Sequence, residues 1–328
     1  MKSVRQNPGV ECAALHPLPS FAAPQPVALS RIQSAIAEIR QACGAFEWVT
    51  FTYLAWLITI LAVFHKNVAH AGLFLVIHCA IALGIVCLAR AAARSGNVAL
   101  RFIRCWYPLL LYIFFFEELE RLVHAIFPGW FDRWLIEFDY GFASVHPSVW
   151  LARFSSPALN EFMQFAYMTY FLYLIILPAL LYANRDRLAY WTVMVSTAIA
   201  HYSVYVIAVL LPIESPYHAF ASLHMKPLAG GYVTATIELL ERFARVHGAA
   251  FPSAHVAGSM VAILASFRYR RWLFWACLPF FICMCLATVY GRYHYVADVL
   301  AGIVVGAVAY ALGSTLMDRR GALPEIVN

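Results

Sequence analysis

The sequence predicts an all-α protein, a polytopic membrane helix bundle of about eight transmembrane helices. Three observations lead there. Of 328 residues, 63% are hydrophobic and 12% charged, with a mean hydropathy of +0.72, whereas a soluble domain is roughly one quarter charged. The apolar residues fall into runs near the ~20 residues that an α-helix needs to cross a bilayer. Arginines gather between alternate runs, where basic residues fix topology.

Taken in order, residues 1–28 are rich in Pro and Ala, lack an apolar core long enough for a cleavable signal peptide, and read as disordered. Leu29, Ile32, Ile36, Ile39 and Cys43 then recur at helical spacing, with Arg31, Glu38 and Arg40 between them. This is an amphipathic helix, lying on the membrane surface or packed on the bundle. Spans are expected at 49–64, 72–92, 103–122, 162–183, 189–212, 253–267, 272–290 and 295–317, the third interrupted by Glu117 and Glu118. With eight spans, Arg90, Arg94, Arg101 and Arg104, then Arg185 and Arg187, then Arg268, Arg270 and Arg271, then Arg319 and Arg320 all fall on one side. That side is the cytoplasm by the positive-inside rule, and both termini lie there.

On the opposite side, 123–161 mixes Trp130, Trp134, Phe138 and Trp150 with Asp132, Asp139 and Arg153, which suits helices lying at the membrane interface. Residues 213–252 carry Pro, Gly, Lys226 and a helical stretch near 232–245. The expected organisation is 1–48 as disordered segment plus amphipathic helix, 49–102 as two additional spans, 103–320 as a six-helix core and 321–328 as a cytoplasmic tail.

The net charge of +6 comes from basic residues scattered between apolar runs, so it reports topology and speaks against nucleic-acid binding. The eight cysteines show no paired spacing, and Cys79, Cys87, Cys277, Cys283 and Cys285 lie inside apolar runs as packing residues. No zinc pattern, disulfide framework or cofactor is expected.

Ionisable residues beside membrane spans are costly and mark function. His294 and Asp298 sit at the head of the last span, and His255 at the head of the sixth. Spans six and seven are of similar length, so His255 and His294 return to the same outer edge. Asp298 lies four residues after His294, on the same helix face, placed to accept a hydrogen bond from one ring nitrogen and leave the other free to attack. Two histidines and a carboxylate at one spot can supply a nucleophile, an orienting relay and a general acid. Ser253 stands at a helix N-terminus, where free N–H groups favour an anion, and Arg292 adds a charge nearby. Packing histidines, a Ser253 helix cap and an Arg292 interfacial anchor are the plainer alternatives. His201, inside span five, reads as a satisfied interior histidine.

Pro252-Ser253-Ala254-His255 and Thr288-Val289-Tyr290-Gly291-Arg292-Tyr293-His294-Tyr295-Val296-Ala297-Asp298 resemble the two histidine motifs of the type 2 phosphatidic acid phosphatase superfamily. The resemblance covers about residues 103–317 and implies that family's six-helix core. Ala254 replaces the usual Gly, Ala287-Thr288 replaces a Ser-Arg pair, and the Lys-x6-Arg-Pro motif is absent. These departures resemble the inositol phosphorylceramide synthase-like branch, which has a Thr at the equivalent of Thr288 and a Pro-rich stretch like Pro212-Ile213-Glu214-Ser215-Pro216-Tyr217.

The resemblance implies that His294 attacks phosphorus to form a phosphohistidine, Asp298 holds its imidazole, and His255 protonates the leaving oxygen and then serves the acceptor as base. Ser253, Arg292 and Lys226 would hold the phosphoryl oxygens. The implied substrate is a membrane phospholipid or lipid phosphate, with a hydroxyl acceptor for a phosphotransferase or water for a phosphatase, and the site faces the extracytoplasmic side. A transporter, a zinc hydrolase using His255, His294 and Asp298, and a non-catalytic scaffold are the rival classes.

Overall fold

A computed structural model describes residues 27–223, 228–244 and 246–320. The described residues form helices α1 (Val27–Ala42), α2 (Ala45–Val63), α3 (Ala71–Arg94), α4 (Val98–Leu122), α5 (Asp132–Ala143), α6 (Pro147–Leu151) and α7 (Pro157–Ala183). There follow α8 (Arg187–Leu210), α9 (Pro216–Ala219), α10 (Tyr232–Ala244), α11 (Ala254–Tyr269), α12 (Arg271–Tyr290) and α13 (Val296–Arg320). Among them there is no strand, only an isolated parallel bridge between Ile213 and Ala249. The chain divides into two compact units, Met1–Glu38 and Ile39–Asn328. The disorder expected for 1–28 falls mostly outside the described residues, although Val27 and Ala28 already belong to α1.

Seven helices are long and apolar enough to cross a membrane: α2, α3, α4, α7, α8, α12 and α13. The sixth expected span corrects to α11, which has 16 residues and reaches about 24 Å at 1.5 Å per residue. It does not need the full length of a lipid-facing helix. Most of its residues are buried, and it packs against α7, α8, α12 and α13.

Two boundaries move because charges find partners. The first span starts at Ala45 rather than 49, since Glu47 is buried and its carboxylate meets Arg104 at 2.8 Å. Arg104 also donates to the Ala42 carbonyl at 2.7 Å, so this arginine is a buried structural group and not a loop charge. The third span starts at Val98, and Glu118 does not interrupt it, because the carboxylate turns inward to His78 of α3 at 2.9 Å. Unpaired, a charge inside a membrane costs about 2.5–3.5 kcal/mol or more.

The core that carries the motifs is α7, α8, α11, α12 and α13. The α13 helix packs on α8 and α11, and α12 on α7. Gly302 and Gly306 set the approach of α13 to α11. A Cβ on Gly302 would stand 2.8 Å from the Ser253 carbonyl oxygen, and one on Gly306 only 2.5 Å from that of Ala257. This small-xxx-small spacing lets the two backbones touch. It brings the helix headed by His255 against the helix that follows His294.

Candidate active site

Ser253 begins the site as the cap of α11. Its Oγ accepts the Val256 N–H at 3.4 Å, and its own N–H donates to the Asp298 carbonyl at 3.1 Å. The second bond ties one histidine motif to the other. Ser253 is fully buried, and the plainer cap reading describes its contact as found.

After α12 the chain turns sharply. The Tyr293 and His294 N–H groups both donate to the Thr288 carbonyl, at 3.0 and 3.1 Å. Thr288 itself is buried and gives its hydroxyl to the Cys285 carbonyl at 2.8 Å. Arg292 occupies the left-handed region at φ 69°, where a non-glycine residue stores strain. It is held there in part by Tyr217, whose N–H donates to the Arg292 carbonyl at 2.9 Å. Only 6% of Arg292 is exposed, and burial lowers the pKa of its guanidinium below the ordinary value.

His294 is fixed from one side of its ring. Its Nδ1 lies 2.8 Å from the Ala250 carbonyl oxygen and 3.3 Å from Asp298 Oδ2. A carbonyl oxygen only accepts, so Nδ1 carries the hydrogen and Nε2 of the neutral ring keeps its lone pair. The expected Asp298 contact is therefore shared with a backbone carbonyl that the sequence does not mark. Asp298 is completely buried, and its Oδ2 also accepts the Tyr295 N–H at 2.7 Å.

His255 stands across from this ring, with ring centroids 5.9 Å apart and planes at 62°. Its Nε2 lies 2.9 Å from the hydroxyl of Tyr167 on α7. One turn on, Tyr170 reaches His201 Nε2 at 2.7 Å, while His201 Nδ1 donates to the Thr197 carbonyl at 2.9 Å. Both ring nitrogens of His201 are thus satisfied, as expected for an interior histidine. Tyr167 also lies against Tyr293, at 4.5 Å between centroids, and Gln164 donates to the Tyr293 hydroxyl at 2.9 Å.

The head of α13 is capped from another helix. Asp139 of α5 accepts the Val296 N–H at 2.9 Å and the Ala297 N–H at 3.0 Å. With the Asp298–Tyr295 bond, three consecutive N–H groups after His294 end on carboxylates. Burial raises the Asp139 pKa, and these two N–H groups oppose that shift. The inward face of α5 holds Asp132, Leu135, Ile136 and Asp139, while Trp134, Phe138 and Phe142 are exposed.

The structure thus brings His255, His294 and Asp298 together, with Ser253 joined to Asp298 through its backbone and Arg292 in the turn before His294, whereas Lys226 lies outside the described residues. Tyr167, Ala250 and Asp139 are the site residues that sequence reasoning missed. A signal existed for Tyr167, because Asn160, Gln164 and Tyr167 recur at helical spacing and are buried. Among the described residues, no group of three or more His, Cys, Asp or Glu is arranged to hold a metal ion.

No curated protein and no solved structure matches the chain. A family model described as the PAP2 superfamily matches residues 133–312, more than half of the 328 residues, and its span includes both histidine motifs and α5 through most of α13. The chain belongs to the PAP2 superfamily.

Proposed function

We propose that this chain is an integral-membrane phosphotransferase that acts on a lipid-linked phosphoester through a phosphohistidine on His294, in the manner of inositol phosphorylceramide synthases. The observation that carries the reading is the anchoring of His294 Nδ1 on the Ala250 carbonyl, which leaves Nε2 as a nucleophile beside His255. In the first half-reaction, Nε2 attacks phosphorus, the P–O bond to the leaving group breaks, and His255 gives that oxygen a proton. In the second, His255 takes the proton of an acceptor hydroxyl, the new P–O bond forms and the P–N bond breaks. General acid–base assistance of this kind contributes about 10²–10⁴-fold. Tyr167 keeps the His255 ring in place through its contact with Nε2.

The preference for a diester donor rests on charge. The chain lacks the Lys-x6-Arg-Pro and Ser-Arg cations of the wider family pattern. A monoester carries up to about two negative charges near neutral pH and a diester about one. With fewer fixed cations, the site suits the diester better. The deciding experiment supplies purified protein with a radiolabelled phospholipid and candidate hydroxyl acceptors. Transfer of label to an acceptor supports the reading; fast release of inorganic phosphate from phosphatidic acid or polyprenyl diphosphate, with no diester activity, replaces it with a plain phosphatase. Arg292→Ala is expected to raise the donor KM and lower kcat, reducing kcat/KM roughly 10- to 100-fold, the worth of a charge-assisted hydrogen bond.

Asp139 acts in this scheme as a positioning residue. Asp139→Ala removes the acceptors of the Val296 and Ala297 N–H groups, so kcat falls while KM changes little. Asp139→Asn, which keeps one acceptor oxygen, recovers part of the loss. Equal kinetics for wild type and Asp139→Ala at matched folding would remove Asp139 from the scheme.

The same reading puts the site on the extracytoplasmic side, with both termini in the cytoplasm and the core at 103–320. In a background without the exposed Cys79 and Cys87, a cysteine replacing exposed Ala229 is labelled by an impermeant reagent from outside, and one replacing Arg270 is not. The reverse pattern turns the topology over.

A further inference from the structure

A cavity edged by arginines lies far from His294. The α11 helix begins at the active site and ends near Arg270, whose guanidinium reaches Asp186 at 3.6 Å. The α7–α8 turn is therefore about 22 Å from His255 along α11. That turn opens a cavity of about 240 Å³, lined by Tyr182, Arg185, Asp186, Arg187, Tyr190 and Trp191 among others.

The lining is divided by chemistry. Arg185 is exposed and Arg187 half-buried, and neither has an ion pair among the described residues. The one carboxylate is committed elsewhere, since Asp186 meets Arg270 and accepts the Ala189 N–H at 3.3 Å. The wall is aromatic: the Tyr182 and Tyr190 rings lie 5.7 Å apart, and Tyr190 and Trp191 5.3 Å. Tyr190 spends its hydroxyl on the Cys105 carbonyl, so it presents ring to the cavity. Exposed Phe102 and Leu188 continue the apolar surface, and Phe102 meets Tyr182 edge-on at 6.2 Å.

The backbone adds a separate observation. Arg185 follows Asn184, the C-terminal cap of α7, and is left-handed at φ 56°. Glycine is the usual occupant of such a position, and a larger side chain is strained there. The turn carries an arginine at a conformational cost, which fits a residue kept for its guanidinium.

We propose that this cavity binds the phosphate of an anionic phospholipid in the leaflet opposite the active site. Arg185 and Arg187 hold the phosphate oxygens, the aromatic wall holds the glycerol region, and an acyl chain runs along Phe102 and Leu188. Basic pockets between helix ends select anionic headgroups in this way. The leaflet is the cytoplasmic one in the orientation proposed above, but the binding does not depend on that orientation.

The test uses the full-length protein in nanodiscs of phosphatidylcholine, with and without phosphatidylglycerol, reading the melting temperature and the lipid retained in native mass spectrometry. Wild type is expected to melt higher with phosphatidylglycerol and to retain it. Arg185→Gly and Arg187→Gln each weaken retention about fivefold, since a basic residue at a membrane surface contributes roughly 1 kcal/mol. Arg185→Gly melts at or above wild type in phosphatidylcholine alone, because the strained arginine is gone, so its loss of lipid is not unfolding. His294→Ala keeps the full lipid response, which separates this cavity from the active site. Unchanged phosphatidylglycerol retention in the Arg185→Gly, Arg187→Gln double variant would overturn the proposal. So would an equal melting shift with inorganic phosphate in phosphatidylcholine, which identifies a free-anion site instead.

Discussion

His294→Ala is expected to abolish phosphoryl transfer altogether, with the variant still folded and still in the membrane. The reason is chemical. In the proposed mechanism the P–N bond forms at Nε2, and alanine offers no atom that can form it. The fold has little stake in the ring, which is held by the Ala250 carbonyl and by Asp298 at the head of α13. Loss of the ring leaves the α11–α13 contact at Gly302 and Gly306 in place. His255→Ala is the informative companion. A general acid matters least when the leaving group is good, so its defect shrinks with an activated donor while that of His294→Ala does not. Near-normal turnover by His294→Ala would end the mechanism.

Asp298→Asn is the second large effect, a fall of about 10²–10³-fold in kcat, the size of losing one fixed electrostatic stabiliser of a developing charge. The asparagine oxygen can still accept the Tyr295 N–H, so the turn survives. What disappears is the negative charge 3.3 Å from Nδ1, which stabilises the imidazolium as the P–N bond breaks and forms. The Ala250 carbonyl continues to orient the ring, so the loss comes from charge more than from geometry. A melting temperature close to wild type together with low activity is the expected pair of results. An unfolded Asp298→Asn protein would instead assign this carboxylate to structure.

Much of this is legible in the amino-acid sequence. Apolar runs placed the helices that cross the membrane, because the bilayer fixes their length and composition. The errors came where a charge found a partner far along the chain. Glu47 pairs with Arg104 and Glu118 with His78, and a local reading treats each as a break or a loop charge. The 16-residue α11 reads in sequence as another span because a buried helix is as apolar as a lipid-facing one. In the site, the residues inside the two motifs came together, since the spacing of His294 and Asp298 and the return of α12 to the same edge are local geometry. Their supports were not legible. Ala250 contributes only a backbone carbonyl, which no side chain advertises, and Tyr167 meets His255 across 88 positions of sequence. Asp139 reaches Val296 from α5, whose aromatic residues in the sequence point only to a membrane contact.

The central claim is that His294 carries the phosphoryl group between donor and acceptor. Its most direct measurement is a rapid quench of purified protein with a radiolabelled lipid phosphoester and no acceptor. The account predicts a labelled protein whose label is lost in acid, survives in base, and maps to His294, with none in His294→Ala. No labelled protein at any time after mixing, from a preparation that transfers label at full rate once an acceptor is added, would contradict it.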